Sequence, residues 1–332
     1  MRDVRRLIPL LIVGLVIVFD AAPAPAGDSN PWLKRRVLNI AHQGGEDEFP
    51  SNTLYAYKKA IRGGADMLEL DIGVTKDDQV VVIHDTSVDR TTNGTGLISE
   101  LTLDEIQRLD AGFWFSTDRG NHYSHDQDPS AYRFRGVATG ERRPPKGFKP
   151  ADFRVPTLRS VLRAFPRTPI NIEIKGRTKE EETAEYVYNA EVLARELRDV
   201  KRDDLIVASF QQPAVDRFHE LVPRIANSPG IPGVAGWVLD GTAPPAGTVA
   251  FQIPITFEFG TTVYNVTTAD NVERAHGEGY AIHTWFGGMD VDGPDTWRQL
   301  VDWCVDGIMT SRSVELERTL KSHRAPAACA RQ

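Results

Sequence analysis

The sequence is poor in cysteine, in basic charge and in long apolar stretches, and each shortage excludes a class of protein. Only 2 cysteines occur among 332 residues, so the sequence sets no disulfide framework. The formal net charge is −7, which leaves no broad basic surface for nucleic acid. No internal repeat or low-complexity tract is present. What remains is a globular chain long enough for an α/β barrel, which takes about 250 residues.

One apolar run lies at residues 7–19, and it is too short for a comfortable membrane span of about 20 residues. Arginines precede it, and a small-x-small cleavage site follows at residues 24–26. This pattern predicts a secretory signal peptide over residues 1–26 and an exported protein, secreted or held in the cell envelope. A single-pass anchor is the alternative. Export would permit a disulfide between Cys304 and Cys329, and two unpaired thiols are equally open.

Residues 67–85 are predicted to form a β-hairpin. Two apolar runs flank a polar turn at residues 77–78, and the link is too short for a parallel crossover. Folding about this turn places Asp71 opposite His84. Glu69 shares a face with Asp71 because side chains alternate along a strand. Two such carboxylates repel each other unless a cation or proton lies between them, although a solvated polar face is the other interpretation.

Strand and helix patterns alternate through the rest of the chain. Apart from the return arm of the hairpin, eight strands are predicted, at residues 36–41, 67–72, 169–175, 205–210, 235–239, 249–255, 280–286 and 307–310. The first helix is expected to begin after Ser51 or Asn52 as its N-cap. This alternation predicts a (β/α)8 barrel over residues 37–320 with a tail at residues 321–332. A doubly wound open sheet is the alternative.

Residues 113–154 have no regular pattern, and so long a segment inside a compact domain is usually a functional insert or lid. We expect it to cover the strand ends and to select the substrate. Its basic residues either form a solvated face or attract an anionic substrate; they are Arg142, Arg143, Lys146 and Lys149. Isolated histidines such as His122 are interpreted as surface or core residues.

Polar side chains collect where the predicted strands end, which is where barrel enzymes carry their active sites. They are His42, Glu69, Asp71, Glu173, Lys175 and Trp285. Three carboxylates favour Mg²⁺ or Ca²⁺ over Zn²⁺. His42 and His84 suit general acid–base catalysis, and Lys175 supplies a positive charge for an anion. A metal, a lysine and an acid–base pair together indicate phosphodiester cleavage.

These residues belong to a series of motifs that resembles the glycerophosphodiester phosphodiesterase family. The series follows the family's order from about residue 38 to residue 311. Its members are His42 with Gly44, Asn52-Thr53, Glu69-Leu70-Asp71, His84-Asp85, Arg90-Thr91-Thr92-Asn93-Gly94, Glu173-Ile174-Lys175, the strand with Trp285, and Asp306-Gly307-Ile308-Met309-Thr310. One motif alone would be weak evidence, whereas the ordered set is specific.

The resemblance implies a distorted (β/α)8 barrel with a small insert after the His-Asp motif. It implies one divalent cation, Mg²⁺ or Ca²⁺, held by Glu69, Asp71 and Glu173, with His42 and His84 as the acid–base pair. The residues assigned to substrate binding are Lys175, Gln43, Trp285 and Asn52. Family members release glycerol 3-phosphate and an alcohol from deacylated phospholipids. Since no activated serine or cysteine is evident, we expect the substrate's own glycerol 2-hydroxyl to attack phosphorus. Direct attack by a metal-bound water molecule is the alternative.

Two positions depart from the family pattern. Gln43 stands where the family has an arginine, and Ser51 stands where it has an acidic residue. Glutamine cannot replace the charged fork with which arginine binds phosphate, so this departure concerns substrate identity rather than the metal site.

The sequence is compatible with three functions. The leading one is an exported, metal-dependent phosphodiesterase that acts on a small glycerophosphodiester or lipid-derived substrate, with no nucleic acid partner. The second is phospholipase D-type cleavage of lysolipids or sphingolipids, which an apolar rim on the insert would favour. The third is a catalytically silent phosphodiester-binding protein, which the complete set of metal and histidine residues disfavours. The head group, transient contact with a membrane surface and the oligomeric state are left open.

Overall fold

The structure, a computed structural model, describes residues 30–34, 36–118 and 122–329. The predicted signal peptide at residues 1–26 lies outside these described residues, as do small parts of the insert and of the C-terminal tail. Across the described ranges, no helix is both long enough and apolar enough to cross a membrane.

Eight parallel strands form a nearly closed barrel, which confirms the predicted (β/α)8 fold over the doubly wound sheet. In chain order, with an antiparallel arm (β3) and a separate hairpin (β8, β9) included, the strands are β1 (Leu38–Ala41), β2 (Met67–Val74), β3 (Val80–Val82), β4 (Ile170–Ile174), β5 (Leu205–Ala208), β6 (Ala226–Asn227), β7 (Ala250–Pro254), β8 (Thr256–Phe259), β9 (Thr262–Asn265), β10 (Ala281–Trp285) and β11 (Gly307–Thr310). Around the barrel the order is β6-β5-β4-β2-β1-β11-β10-β7. A parallel bridge between Asn227 and Thr248 brings the two end strands together.

Helices lie between the strands and cover the outside of the barrel. They are α1 (Leu54–Gly63), α2 (Leu103–Ile106), α3 (Leu158–Ala164), α4 (Thr183–Leu197), α5 (Gln212–Leu221), α6 (Ile231–Ala235), α7 (Ala269–Gly277), α8 (Pro294–Asp302) and α9 (Ser313–Ser322). Two apolar clusters fill the space between helices and strands. A third cluster, which includes Trp32, Ile40 and Met67, fills the barrel interior. Because β2 alternates, Glu69 and Asp71 face inward on the same side as Met67, nearer the C-terminal end of the strand.

The β2–β3 hairpin is confirmed, but its register differs by one residue from the prediction. The amide of Ile83 donates to the carbonyl of Asp71 at 3.0 Å, so Asp71 lies opposite Ile83 and not His84. The amide of Thr75 donates to the carbonyl of Gln79 at 3.1 Å, which leaves a loop of odd length centred on one residue. Because loop length fixes hairpin register, the predicted pairing about residues 77–78 was displaced by one.

The start of α1 also differs from the prediction by one position. Thr53, and not Ser51 or Asn52, is the N-cap, and its Oγ1 accepts a hydrogen bond from the Ala56 amide at 3.1 Å. Asn52 instead adopts a positive φ of 56° and turns its amide toward β2. All three residue types are good N-caps, so their chemistry alone does not separate them. The shift leaves the Asn52 side chain available to the site.

The strand predicted at residues 235–239 is wrong. α6 and a π-helical turn, Gly236–Asp240, occupy this segment, and the barrel strand is the two-residue β6. Pro232 lies in the first turn of α6, a favourable position for proline. Trp237 is buried and stacks on Phe251, with 4.2 Å between ring centroids. Two residues are too few for a strand pattern to be visible in the sequence.

Cys304 and Cys329 form a disulfide, with their Cα atoms 5.3 Å apart. Of the two alternatives that the sequence leaves open, the structure therefore has the paired one. The bond links the residues after α9 to the end of α8.

Candidate active site

Three carboxylates meet at the C-terminal end of the barrel. Glu69 and Asp71 lie two residues apart on β2, and Asp71 pairs in register with Glu173 on the neighbouring β4. One carboxylate oxygen from each residue lies within 4.8 Å of the others. The structure thus brings together the three predicted metal ligands as a group that could hold a metal ion.

The electrostatics of this cluster favour a cation. Glu69 is 1% exposed and Asp71 is 0% exposed. Burial, followed by the charge of Asp71, raises the pKa of Glu69 to about 8. Burial alone would also raise the pKa of Asp71, but the positive charges of Lys175 and the histidines lower it. Glu69 Oε1 is buried and accepts no hydrogen bond from any described residue. A buried acceptor beside a second carboxylate fits a bound cation. The cation would offset the cost of burying the oxygen and the repulsion between the two carboxylates.

Lys175 follows β4 and contacts two of these carboxylates. Its Nζ lies 2.7 Å from Glu173 Oε1 and 3.2 Å from Asp71 Oδ1. Burial opposes the charge of the ammonium, but the two carboxylates raise the pKa of Lys175 above its ordinary value. Lys175 is therefore a permanent positive charge beside the predicted metal ligands.

His42 follows β1 directly and lies beside Glu69. Its Nδ1 is 2.9 Å from Glu46 Oε1, and its Nε2 is 4.0 Å from Glu69 Oε2. Burial acts to lower the pKa of His42, but Glu46, and then Glu69, raise it to about 10. Glu46 lies four residues after His42 and was not among the residues predicted for the site. His122 of the insert also reaches Glu46, with 3.9 Å between His122 Nε2 and Glu46 Oε2, so this histidine borders the site.

His84 is held by the carboxylate of Asp85. Its Nδ1 lies 2.8 Å from Asp85 Oδ1, and Arg90 donates to both oxygens of Asp85 at 2.6 and 2.9 Å. Burial would raise the pKa of Asp85, but hydrogen bonds from His84 and Arg90 hold it well below its usual range. Because Nδ1 is engaged by Asp85, Nε2 is the ring nitrogen that remains for proton transfer.

Two residues predicted to bind substrate, Gln43 and Asn52, contact the carboxylates in the structure. The backbone amide of Gln43 donates to Glu69 Oε2 at 2.8 Å. The side-chain amide of Asn52 donates to Asp71 Oδ2 at 3.0 Å, and the Tyr57 hydroxyl fixes its carbonyl at 2.7 Å. Gln43 and Asn52 are 2% and 4% exposed. They orient the carboxylates in this structure, and their contact with substrate stays a prediction.

Trp285 ends β10 and is linked to the charged cluster through Phe210. The two rings stack with their centroids 5.5 Å apart, and the Phe210 ring lies 5.5 Å from Lys175 Nζ. Phe210 was placed at the end of a predicted strand without a role, because an apolar residue carries no signal of chemistry in a sequence.

The insert lies against the turn that carries Ser51. The Tyr123 hydroxyl accepts a hydrogen bond from the Ser51 amide at 2.6 Å and donates to Ser51 Oγ at 2.9 Å. Arg142 donates to the carbonyls of Tyr132 and Arg133, so this charge acts within the insert. The role of the insert in substrate selection stays a prediction.

Sequence comparison finds relatives along almost the whole chain. The model of the Glycerophosphoryl diester phosphodiesterase family matches residues 42–315. The glycerophosphodiester phosphodiesterase of Bacillus subtilis (strain 168) is 28% identical over 318 residues, which cover 92% of this chain and 95% of that protein. YhdW of the same organism is 36% identical over 187 residues, which cover 56% of this chain and 62% of YhdW. The chain thus spans less than two thirds of one relative and nearly all of the other.

A solved structure has the same architecture. It is an Oleispira antarctica phosphodiesterase in complex with the product sn-glycerol-3-phosphate, with a TM-score of 0.58 and 20% sequence identity. The match covers 86% of this chain and 97% of the other. At this identity the likeness supports the barrel fold.

Proposed function

We propose that this chain, which belongs to the glycerophosphoryl diester phosphodiesterase family, hydrolyses glycerophosphodiesters to glycerol 3-phosphate and an alcohol with the help of one divalent cation. Family membership confirms the resemblance and the predicted enzyme class. The observation that carries the proposal is the group of three carboxylates, two of them buried, in which Glu69 Oε1 accepts no hydrogen bond from the described residues. The sn-glycerol-3-phosphate bound to the Oleispira antarctica phosphodiesterase supports the same substrate class.

Glu69, Asp71 and Glu173 would hold the cation. Their oxygens are hard donors, which favour Mg²⁺ or Ca²⁺ over Zn²⁺. When bound, such a cation offsets charge on the phosphate and lowers the pKa of a hydroxyl group in contact with it. Asn52 keeps Asp71 oriented through its hydrogen bond. Lys175 supplies a second positive charge for the phosphate oxygens.

His42 and His84 would share the proton transfers, one taking the proton of the attacking hydroxyl and the other protonating the leaving alcohol. Both cysteines are in a disulfide, and no serine stands in a nucleophile motif. A water molecule and the glycerol 2-hydroxyl of the substrate then remain, and we infer that the 2-hydroxyl is the nucleophile because it already lies beside phosphorus in the same molecule. Its oxygen bonds to phosphorus as the bond to the alcohol breaks, and water then opens the cyclic phosphate.

A glycerophosphodiester that lacks the 2-hydroxyl is expected to bind and to remain uncleaved, because the intramolecular nucleophile is missing. The measurement compares kcat for glycerophosphocholine and for its 2-deoxy analogue, and competition by the analogue gives its affinity. Cleavage of the analogue at the normal rate would identify a water molecule as the nucleophile.

The Asp85→Asn variant is expected to lower kcat by about 10² to 10⁴ while KM and metal affinity change little. Asp85 holds Nδ1 of His84 at 2.8 Å, so its carboxylate fixes the orientation and tautomer of the imidazole. Steady-state kinetics would show the split between kcat and KM. Asp104→Asn, which alters an exposed carboxylate paired with Arg108, is the matched control. A change in KM with kcat unchanged would contradict this positioning role.

A substrate panel tests the proposed function. Glycerophosphodiesters and intact lipids are assayed with Mg²⁺ or Ca²⁺ and again with chelator. Release of glycerol 3-phosphate that stops with chelator supports the proposal. If no glycerophosphodiester is turned over with either metal, the proposal is rejected.

We also propose that the protein is exported, from the signal pattern at residues 1–26. The Cys304–Cys329 bond supports this, because disulfides persist in oxidising compartments. The intact mass of the exported protein should correspond to a chain without residues 1–26. A mass that includes these residues would indicate an anchor instead.

A further inference from the structure

The two histidines of the site are each held by a carboxylate at the same ring nitrogen. His42 Nδ1 lies 2.9 Å from Glu46 Oε1, and His84 Nδ1 lies 2.8 Å from Asp85 Oδ1. In each ring, Nε2 is the nitrogen that remains for proton transfer. The placement of the two Nε2 atoms therefore depends on what holds the two carboxylates.

Two adjacent residues of the insert, His122 and Tyr123, reach the loop that carries Glu46. His122 lies between two carboxylates, with its Nε2 3.9 Å from Glu46 Oε2 and its Nδ1 3.5 Å from Asp47 Oδ1. The Tyr123 hydroxyl accepts a hydrogen bond from the Ser51 amide at 2.6 Å and donates to Ser51 Oγ at 2.9 Å. The dipeptide thus contacts both ends of this loop.

The same tyrosine reaches the residues that support the other histidine. The Arg90 guanidinium lies over the Tyr123 ring, 5.1 Å from its centroid, which is within the range of a cation–π contact. Arg90 donates to both oxygens of Asp85, the carboxylate at His84. His125 of the insert lies 3.2 Å from the Arg90 carbonyl. A continuous series of contacts therefore joins the two histidines through the insert, in the order His42, Glu46, His122, Tyr123, Arg90, Asp85 and His84.

The dipeptide is largely removed from water and is anchored within the insert. Tyr123 is 8% exposed, and burial raises its pKa to about 12, so its hydroxyl keeps the proton that it donates. The His122 carbonyl accepts a hydrogen bond from the amide of the buried Ser116 at 2.8 Å. Contacts that are buried and linked in series support one another more than isolated surface contacts do. The dipeptide can therefore act as a fixed support.

We propose that Glu46 and the His122–Tyr123 dipeptide of the insert are positioning residues. They fix the distance and the relative orientation of His42 and His84. This inference rests on the proposed function and gives the insert a part in it, because an error of about 1 Å in the placement of an acid or a base can cost about 100-fold in rate. Substrate selection by the insert, as predicted from the sequence, would instead act through contacts with the head group.

The test measures kcat and KM at saturating metal for glycerophosphocholine and for glycerophosphoethanolamine. Tyr123→Phe removes the hydroxyl from Ser51 and is expected to lower kcat about tenfold for both substrates, with KM unchanged. Glu46→Gln is expected to lower kcat by about 100-fold, again equally for both substrates. Losses that differ between the head groups, or that appear in KM alone, would overturn the positioning role.

Two variants are matched controls and should leave kcat unchanged. Tyr132→Phe removes another buried hydroxyl of the insert, which accepts from the Gln127 amide at 3.0 Å and donates to the Ser124 carbonyl at 2.8 Å. Glu48→Gln alters a carboxylate on the same loop as Glu46, but one that accepts from the Val314 amide at 3.0 Å. Equal losses of kcat in controls and test variants would mean that the insert acts on stability alone, and would overturn the proposal.

Proton NMR of the imidazole N–H groups, recorded without substrate, separates this inference from the proposed function. His42→Gln and His84→Gln assign the two signals. Tyr123→Phe should shift both signals, because the series of contacts through Tyr123 ends at each ring, whereas Tyr132→Phe should shift neither. If Tyr123→Phe moves neither signal or only one, the positioning role is overturned even when glycerophosphodiesters are cleaved. If both signals move in a protein that cleaves no glycerophosphodiester, the proposed function is rejected and the positioning role is kept.

Discussion

Glu173→Gln is expected to weaken binding of the activating divalent cation by about 100-fold or more, and turnover should fall with it. Glu173 lies in register with Asp71 and contributes one of three clustered carboxylate oxygens. An amide oxygen carries no charge, so the variant attracts a cation less strongly. The more weakly bound cation then offsets less of the repulsion between Glu69 and Asp71. Calorimetric titration with Mg²⁺ and with Ca²⁺ measures the affinity, and kcat at rising metal concentration measures the consequence.

Thermal unfolding gives a second readout that does not depend on turnover. A ligand that binds only the folded state at 100 times its Kd adds about 2.7 kcal/mol to the free energy of unfolding. The metal should therefore raise the Tm of the unaltered protein clearly more than that of Glu173→Gln. Glu220→Gln, at an exposed carboxylate paired with Arg217, is the control and should behave like the unaltered protein. Full activity in excess EDTA would contradict the metal site.

His42→Gln and His84→Gln are each expected to lower kcat by about 10² to 10⁴, the usual contribution of a positioned acid or base. His42 lies 4.0 Å from Glu69 and is held by Glu46, whereas His84 is held by Asp85 from another segment of the chain. Because the two act in one reaction, the double variant should cost less than the product of the single losses. Single-turnover kinetics with glycerophosphocholine would measure all three variants.

His323→Gln is the matched control for the histidine variants. His323 follows α9 and pairs with Asp302 at the surface, away from the carboxylates. It should leave kcat unchanged. Near-normal kcat for either His42→Gln or His84→Gln would remove that histidine from the proton transfers.

The barrel and the charged cluster were predictable because each depends on local patterns. Alternation along β2 fixes the common face of Glu69 and Asp71, and the strand order of a barrel then places Glu173 beside them. The motif series added His42 and His84 to this group of carboxylates. The details of register were less predictable, since a one-residue change in loop length moved Asp71 from His84 to Ile83.

The apolar surroundings of the carboxylates were not predictable from the sequence. The strand β6 has two residues, so the helical segment after it was mistaken for the strand. An apolar cavity beyond the C-terminal ends of β5, β7 and β10 is lined by side chains from residues 209–285, which become neighbours only when α6, the β8–β9 hairpin and β10 pack together. Single apolar residues such as Phe210 and Phe259 are common on surfaces and indicate a binding site only once they are seen side by side.

Phosphorus NMR of glycerophosphocholine incubated with the purified protein and Mg²⁺ or Ca²⁺ shows which phosphorus–oxygen bond is cleaved and whether a metal is needed. The phosphodiester signal should be replaced by that of glycerol 3-phosphate, free choline should appear in equal amount, and Glu173→Gln or chelator should prevent both. Appearance of phosphocholine and glycerol, or a phosphodiester signal that persists with either metal, would contradict the proposed function.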